Sequence, residues 1–197
     1  AKTAYMQPNQ EVLDYVSERA VRPFEAVHTD EDFEYSETYH FDITGLTPQV
    51  AAPHSVDNIY PIDEVEKVRI DQGFVGTCTG GRLEDLKAAA DILRGKKIAD
   101  HVRLIVIPAS TEVMMESMEK GYFQDLINAG ATISTPGCGP CLSAHEGVLA
   151  ANEVCVTASN RNFPGRMGSN EAQIYLASPA TVAASALTGY LTNPTSL

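Results

Sequence analysis

The sequence predicts an α/β fold, a layered domain with a mostly parallel sheet flanked by helices. From Val65 onward, short apolar runs of strand length alternate with segments of helical period. One of these runs, "HVRLIVIPAS", reads as a buried strand bounded by Pro108. Strand–helix alternation of this kind builds a layered domain around a parallel sheet, whose ligand-binding loops collect at the carboxyl ends of the strands.

Taken in order, "PNQEVLDYVSERA" reads as a helix capped by Asn9, with Val12, Tyr15, Val16 and Arg19 at helical spacing. From Pro23 to Pro61 the chain is acidic, with "HTDEDFEYSE" at its centre. Within that segment "TYHFDITGL" alternates like a strand, and "TPQVAAPHSVDNIYP" is expected to be a long connector. Residues 1–64 are therefore expected to be an N-terminal helix and acidic lead-in to the same domain, and 65–197 its α/β core. "VRIDQGFVGTC" is a strand ending in a glycine-containing turn, and "LEDLKAAADILRGKK" a helix with Gly95 near its end. "TEVMMESMEKGYFQDLINAG" makes one or two helices, with Gly130 as a stop and Met114, Met115 and Met118 as core packing. "ATIST" is a short strand leading into a Cys-Gly-Pro-Cys loop. "EVCVTAS" is another strand, "NRNFPGRMGSN" a polar loop, and "SPATVAASALTGYL" a closing helix.

The 197 residues suit one large domain, or a domain plus an appendage, with a substantial core. A net charge of −12 and a pI near 4.7 argue against a nucleic-acid surface, which needs a basic stripe. No apolar run approaches the roughly eighteen residues of a membrane span. Four cysteines are too sparse for a disulfide scaffold, and "AKTAYMQPNQ" has no apolar signal core, so a reducing, cytoplasmic setting is expected. The first residue is Ala rather than Met, which suits either simple Met removal or a fragment of a longer protein.

Three loops that the alternation brings to one sheet edge carry the chemistry. Cys78 ends one strand, Cys138 and Cys141 follow a second, and Asn160, Arg161 and Arg166 follow a third. Cys78 in "GFVGTCTGGRLEDL" is either a small buried residue or a thiol beside a helix N-terminus, where thiolate is favoured. The pair Cys138 and Cys141 suits a redox couple, a zinc knuckle or part of an iron–sulfur site. A helical i,i+4 relation of Cys141 to His145 keeps zinc open, whereas Cys155 in "EVCVTA" reads as core. Three thiolates on two loops also suit a [4Fe–4S] cluster with one iron free of protein ligands, a Lewis acid for a substrate hydroxyl. Arg161 and Arg166 have the geometry to grip carboxylates bidentately, and Asn160 to donate to a hydroxyl; the alternative is a solvated surface loop.

"GTCTGGRLEDLKAAADILRGKK", "PGCGPCLSAHEGVLAANEVCVTASNRNFPGRMG" and "YLASPATVAASALTGYL" together resemble the aconitase superfamily. The likeness is to its branch of 3-isopropylmalate dehydratase and homoaconitase large subunits, and is continuous from about Phe74 to Leu191. The resemblance implies a [4Fe–4S] cluster on Cys78, Cys138 and Cys141, with Asn160 near it and substrate carboxylates on Arg161 and Arg166. It implies a hydro-lyase that moves a hydroxyl between neighbouring carbons of a hydroxy di- or tricarboxylate, in leucine or related amino-acid biosynthesis. It also implies that this chain is the third, cluster-binding domain of a longer large subunit. The general base would lie outside the chain, and a small swivelling-domain subunit would be its partner. Gly80 stands where such proteins usually carry Asn, so an amide that could steady the cluster loop is missing. His28, His40, His54 and His101 are expected to be surface or structural. A non-catalytic metal-binding module and, more distantly, a dithiol oxidoreductase are the competing readings.

Overall fold

The structure, a computed structural model, describes residues 3–197 and divides into two compact units, Ala1–Thr44 and Gly45–Leu197. In the first, α1 (Gln10–Arg19) starts at Asn9, whose side chain accepts the Val12 N–H at 2.9 Å, as the sequence implies. The strand expected at "TYHFDITGL" does not form. Its alternation survives only as Tyr39 and Phe41 rings stacked 6.3 Å apart; the Asp42 carboxylate takes the Thr44 N–H instead and turns the chain.

The second unit is built on a seven-stranded sheet. The expected connector instead forms a hairpin of β1 (Gln49–Ala51) and β2 (Ile59–Pro61), paired antiparallel through Val50 and Tyr60. Strands this short, interrupted by Pro53, leave almost no periodic signal in sequence. β3 (Gln72–Gly76), β4 (Arg103–Ile107), β5 (Thr132–Ile133) and β6 (Val154–Thr157) lie where strands are expected. β7 (Gln173–Leu176) is an addition to that reading. The order is β2-β1-β7-β6-β3-β4-β5; the run from β7 to β5 is parallel, and β1 joins it antiparallel at Ala51 and Leu176.

The helices of this unit are α2 (Thr77–Gly80), α3 (Leu83–Leu93), α4 (Thr111–Glu119), α5 (Tyr122–Ala129) and α6 (Pro179–Thr188). Gly121, at φ +77°, separates α4 from α5, so "TEVMMESMEKGYFQDLINAG" is two helices. α3 packs on α6 and α5, and their apolar stripes (Leu86 and Leu93, Phe123 and Leu126, Val182 and Ala186) meet Val75, Leu104, Val106 and Val156. Of the methionines of α4, only Met114 joins this core. Met115 and Met118 are about half exposed, because α4 presents one stripe to the core and those two fall outside it.

Side chains alternate across the sheet, and the other face carries Phe74, Ile105, Ile107, Cys155 and Ile174. Loop residues cover it, namely Leu149, Met167 and Ala172 with the half-buried Cys141. Buried Gln72 ties this layer together: its amide donates to the Gly147 carbonyl at 2.8 Å and accepts from Arg103 Nε at 3.2 Å. No helix among the described residues is long and apolar enough to cross a membrane.

Candidate functional site

The turn after β3 is wedged between two strand ends. Thr77 holds a left-handed backbone (φ +61°), which costs a non-glycine residue about 1–2 kcal/mol. Cys78 therefore sits, exposed, inside the single-turn helix α2 rather than ahead of a long one. Behind it the backbone is pressed onto its neighbours. A Cβ on Gly81 would lie 2.5 Å from the Ile107 carbonyl oxygen, and one on Gly80 2.5 Å from the Ala158 carbonyl oxygen. The Gly81 carbonyl also accepts the Ala109 N–H at 2.8 Å. Gly80 is thus required by space in this backbone, and the missing amide has no room to stand there.

The Cys138–Cys141 loop leans on the same strand end. Gly139 (φ +52°) lies so close to the Ile107 side chain that a Cβ would overlap it. A 3₁₀ turn over Gly139–Leu142 brings the Cys141 N–H to the Cys138 carbonyl at 3.2 Å. Cys138 is exposed and Cys141 half-buried. Ser143, left-handed at φ +63°, ends the turn, so no helix runs on to His145. The i,i+4 zinc pairing of Cys141 with His145 is therefore not built; His145 is exposed, with Nδ1 3.7 Å from Glu146 Oε1. Among the described residues no group of three or more His, Cys, Asp or Glu is gathered to hold a metal ion. All four cysteines are free thiols. Cys155 is fully buried, and burial pushes its thiol up to about 12, in keeping with a core residue.

The loop after β6 docks on the cysteine loop. Leu149 N–H donates to the Met167 carbonyl at 2.8 Å, and Ser169 N–H to the Leu149 carbonyl at 2.9 Å. The Ser143 hydroxyl lies 3.1 Å from both the Gly165 and the Arg166 carbonyls and shares its proton between them. Arg166 is half-buried, its Nη2 3.6 Å from Cys141 Sγ and its guanidinium 5.6 Å from the centre of the Phe163 ring. Asn160 and Arg161 are exposed and border a cavity of about 430 Å³ whose other wall is His54, Ser55 and Val56 of the β1–β2 loop. Buried Asn162 pins that wall, donating to the Ala52 carbonyl at 2.9 Å and the Ser55 carbonyl at 3.2 Å.

The two candidate arginines therefore face different surroundings, Arg161 the β1–β2 loop and Arg166 a thiol. Four buried side-chain polar atoms lack a partner among the described residues, and three lie here: Ser159 Oγ, Asn162 Oδ1 and Arg166 Nε. Native proteins leave few such groups, and water or a ligand can satisfy them. The sequence alone assigns no site role to Ser143, Asn162 or the β1–β2 loop; the left-handed position of Ser143 has no signature in residue type. His28, His40 and His101 are exposed. Another cavity, of about 610 Å³, lies beside the Arg103–Glu153 ion pair, and none of the candidate residues borders it.

Fold and loops together define an α/β domain with thiols and guanidinium groups carried at the carboxyl edge of a parallel sheet. A model of the aconitase family (aconitate hydratase) matches residues 1–189, and the chain belongs to that family. It is 52% identical over 194 residues to a protein from Methanosarcina mazei named probable methanogen homoaconitase large subunit, covering 98% of this chain and 49% of that one. It is 52% identical over 194 residues to a 3-isopropylmalate dehydratase large subunit 1 from Methanopyrus kandleri, covering 98% and 46%. To a homoaconitase large subunit from Thermus thermophilus it is 50% identical over 197 residues, covering 100% and 46%. The chain thus spans about half the length of these relatives.

Proposed function

We propose that the chain is the cluster-bearing part of a cytoplasmic iron–sulfur hydro-lyase acting on a hydroxy di- or tricarboxylate of the 3-isopropylmalate or homocitrate type. The observation that carries this reading is the meeting of two thiol loops at one strand end, Ile107, with a half-buried guanidinium beside one thiol. The donor set fits a [4Fe–4S] cluster. Cys78, Cys138 and Cys141 are free thiols on glycine-tightened loops, and a cubane takes each thiolate on a separate iron instead of gathering them around one ion. When bound, such a cluster supplies an open iron as a Lewis acid for the departing hydroxyl.

The chain's own residues bind and orient the substrate. Arg161 and Arg166 hold carboxylates, and Asn160 donates to a hydroxyl. These local charges act against a net charge of −12, so the grip on a polyanion depends on short-range, bidentate contacts rather than on long-range attraction. The general base comes from outside this chain, from other domains of the large subunit or from a small swivelling-domain subunit. Amino-acid biosynthesis is the setting, as the names of the relatives suggest.

Anaerobic reconstitution with iron and sulfide tests the reading. The expected result is about four irons per chain, with a three-iron EPR signal after mild oxidation. Cys138→Ser should lower the iron content sharply. Stoichiometric zinc without iron, in protein kept anaerobic throughout, would instead make the chain a structural metal module.

A further inference from the structure

We infer that Arg166 is a bridging residue: its Nη2 donates a hydrogen bond to the Cys141 sulfur and protects a cluster held there against oxidation, while its other terminal nitrogen is left for substrate. This rests on the function proposed above. The guanidinium has five N–H donors, and the structure commits one nitrogen to sulfur, at 3.6 Å. Arg166 Nε is buried and has no partner among the described residues. Among the described residues no carboxylate pairs with Arg166, although the chain carries 26 acidic residues against 14 Lys and Arg. A half-buried cation without a counter-ion is costly. The Cys141 sulfur is the electron-rich partner its position provides for.

The contact is built into the backbone. The Arg166 carbonyl is tied to the Ser143 hydroxyl two residues beyond Cys141, the Arg166 N–H donates to the Phe163 carbonyl at 3.1 Å, and Phe163 flanks the guanidinium. Arg161, exposed and facing the β1–β2 loop, has no such framing. Hydrogen bonds to cluster sulfurs withdraw electron density and are one of the protein's levers on reduction potential. An arginine used only for carboxylates needs no sulfur within reach.

The test compares the chain with Arg166→Gln, Arg166→Lys and, as a control, Arg161→Gln, each reconstituted anaerobically with iron and sulfide. Arg166→Gln is expected to shift the cluster's midpoint potential to more negative values and to speed iron loss in air several-fold. Arg166→Lys should recover most of both, and Arg161→Gln should match the unaltered chain. Equal potentials and equal decay in Arg166→Gln and the unaltered chain would overturn the inference. A second readout needs no cluster: the rate of iodoacetamide alkylation at Cys141 relative to Cys138 in metal-free protein, resolved by mass spectrometry. Arg166→Gln should lower that ratio several-fold and Arg166→Lys restore it, whereas an unchanged ratio would overturn the bond itself. Failure of the unaltered chain to take up iron would refute the proposed function, while the alkylation ratio still decides whether Arg166 serves the thiol.

Discussion

Replacing Gly80 with alanine would set a Cβ 2.5 Å from the Ala158 carbonyl oxygen and into the Ala158 side chain. A relaxed C···O contact is about 3.3 Å, so the overlap is about 0.8 Å. Neither neighbour yields easily, because Ala158 N–H is bonded to the Phe74 carbonyl at 2.9 Å across the sheet. The turn carrying Cys78 must move instead. Overpacking of this kind costs about 1–3 kcal/mol, and contact with backbone puts Gly80 at the upper end. Alanine returns up to about 1 kcal/mol in helix propensity, leaving a net loss of about 2 kcal/mol. For a unit of this size that corresponds to a melting temperature lower by about 4–8 °C. Urea unfolding followed by circular dichroism, with a thermal scan, reads both quantities. Gly80→Asn, with a larger side chain, should be no better than alanine. Gly137→Ala is the control: nothing lies nearer than 3.9 Å to its Cβ, so it should stay within about 0.5 kcal/mol. A Gly80→Ala protein as stable as the unaltered chain would refute the claim that the β6 end excludes a side chain here.

Ser143→Ala removes the proton shared by the Gly165 and Arg166 carbonyls and should cost about 1 kcal/mol in urea. Ser143→Gly loses the same bond but relieves the left-handed backbone, so it should come out near neutral; equal losses in the two would refute the strain argument. Cys155 should resist iodoacetamide in the folded chain at pH 8 and react only after unfolding in urea, whereas Cys78 and Cys138 react in both states. Burial raises the Cys155 thiol from 9.0 to about 12, so the folded state favours its protonated form. Its contribution to stability is therefore complete below about pH 9 and falls by about 1.4 kcal/mol per pH unit towards pH 12. Cys155→Val should flatten that slope in alkaline urea titrations.

Much of the α/β core was legible because its elements carry long patterns. "RLIVI" has no polar interruption, and Asn9 and Gly130 punctuate their helices where the sequence implies. The sheet edge was less legible. β1 and β2 are three residues each, and the four residues of β7 lie between a polar loop and an Ala-rich helix, too short for a period to register. "TYHFDITGL" failed in the opposite sense: it has the alternation of a strand, but a strand exists only where a neighbour accepts its hydrogen bonds. The candidate site divides in the same way. Cys78, Cys138, Cys141, Asn160, Arg161 and Arg166 stand out by residue type and spacing, while Asn162 and Ser143 work through backbone carbonyls distant in sequence.

By itself the sequence determined the chemistry available, namely thiols, guanidinium groups and an amide on loops that strand–helix alternation sends to one edge. It also determined membership in the aconitase family, since three ordered motifs over most of the chain carry that resemblance. Only the tertiary structure decided which of these groups meet. It set both thiol loops on Ile107, turned Arg161 toward the β1–β2 loop and Arg166 toward Cys141, and left no space for a side chain at Gly80. The reason is physical: residue type fixes what a group can donate or accept, whereas the partner it meets depends on contacts between segments tens of residues apart, which close packing settles all at once.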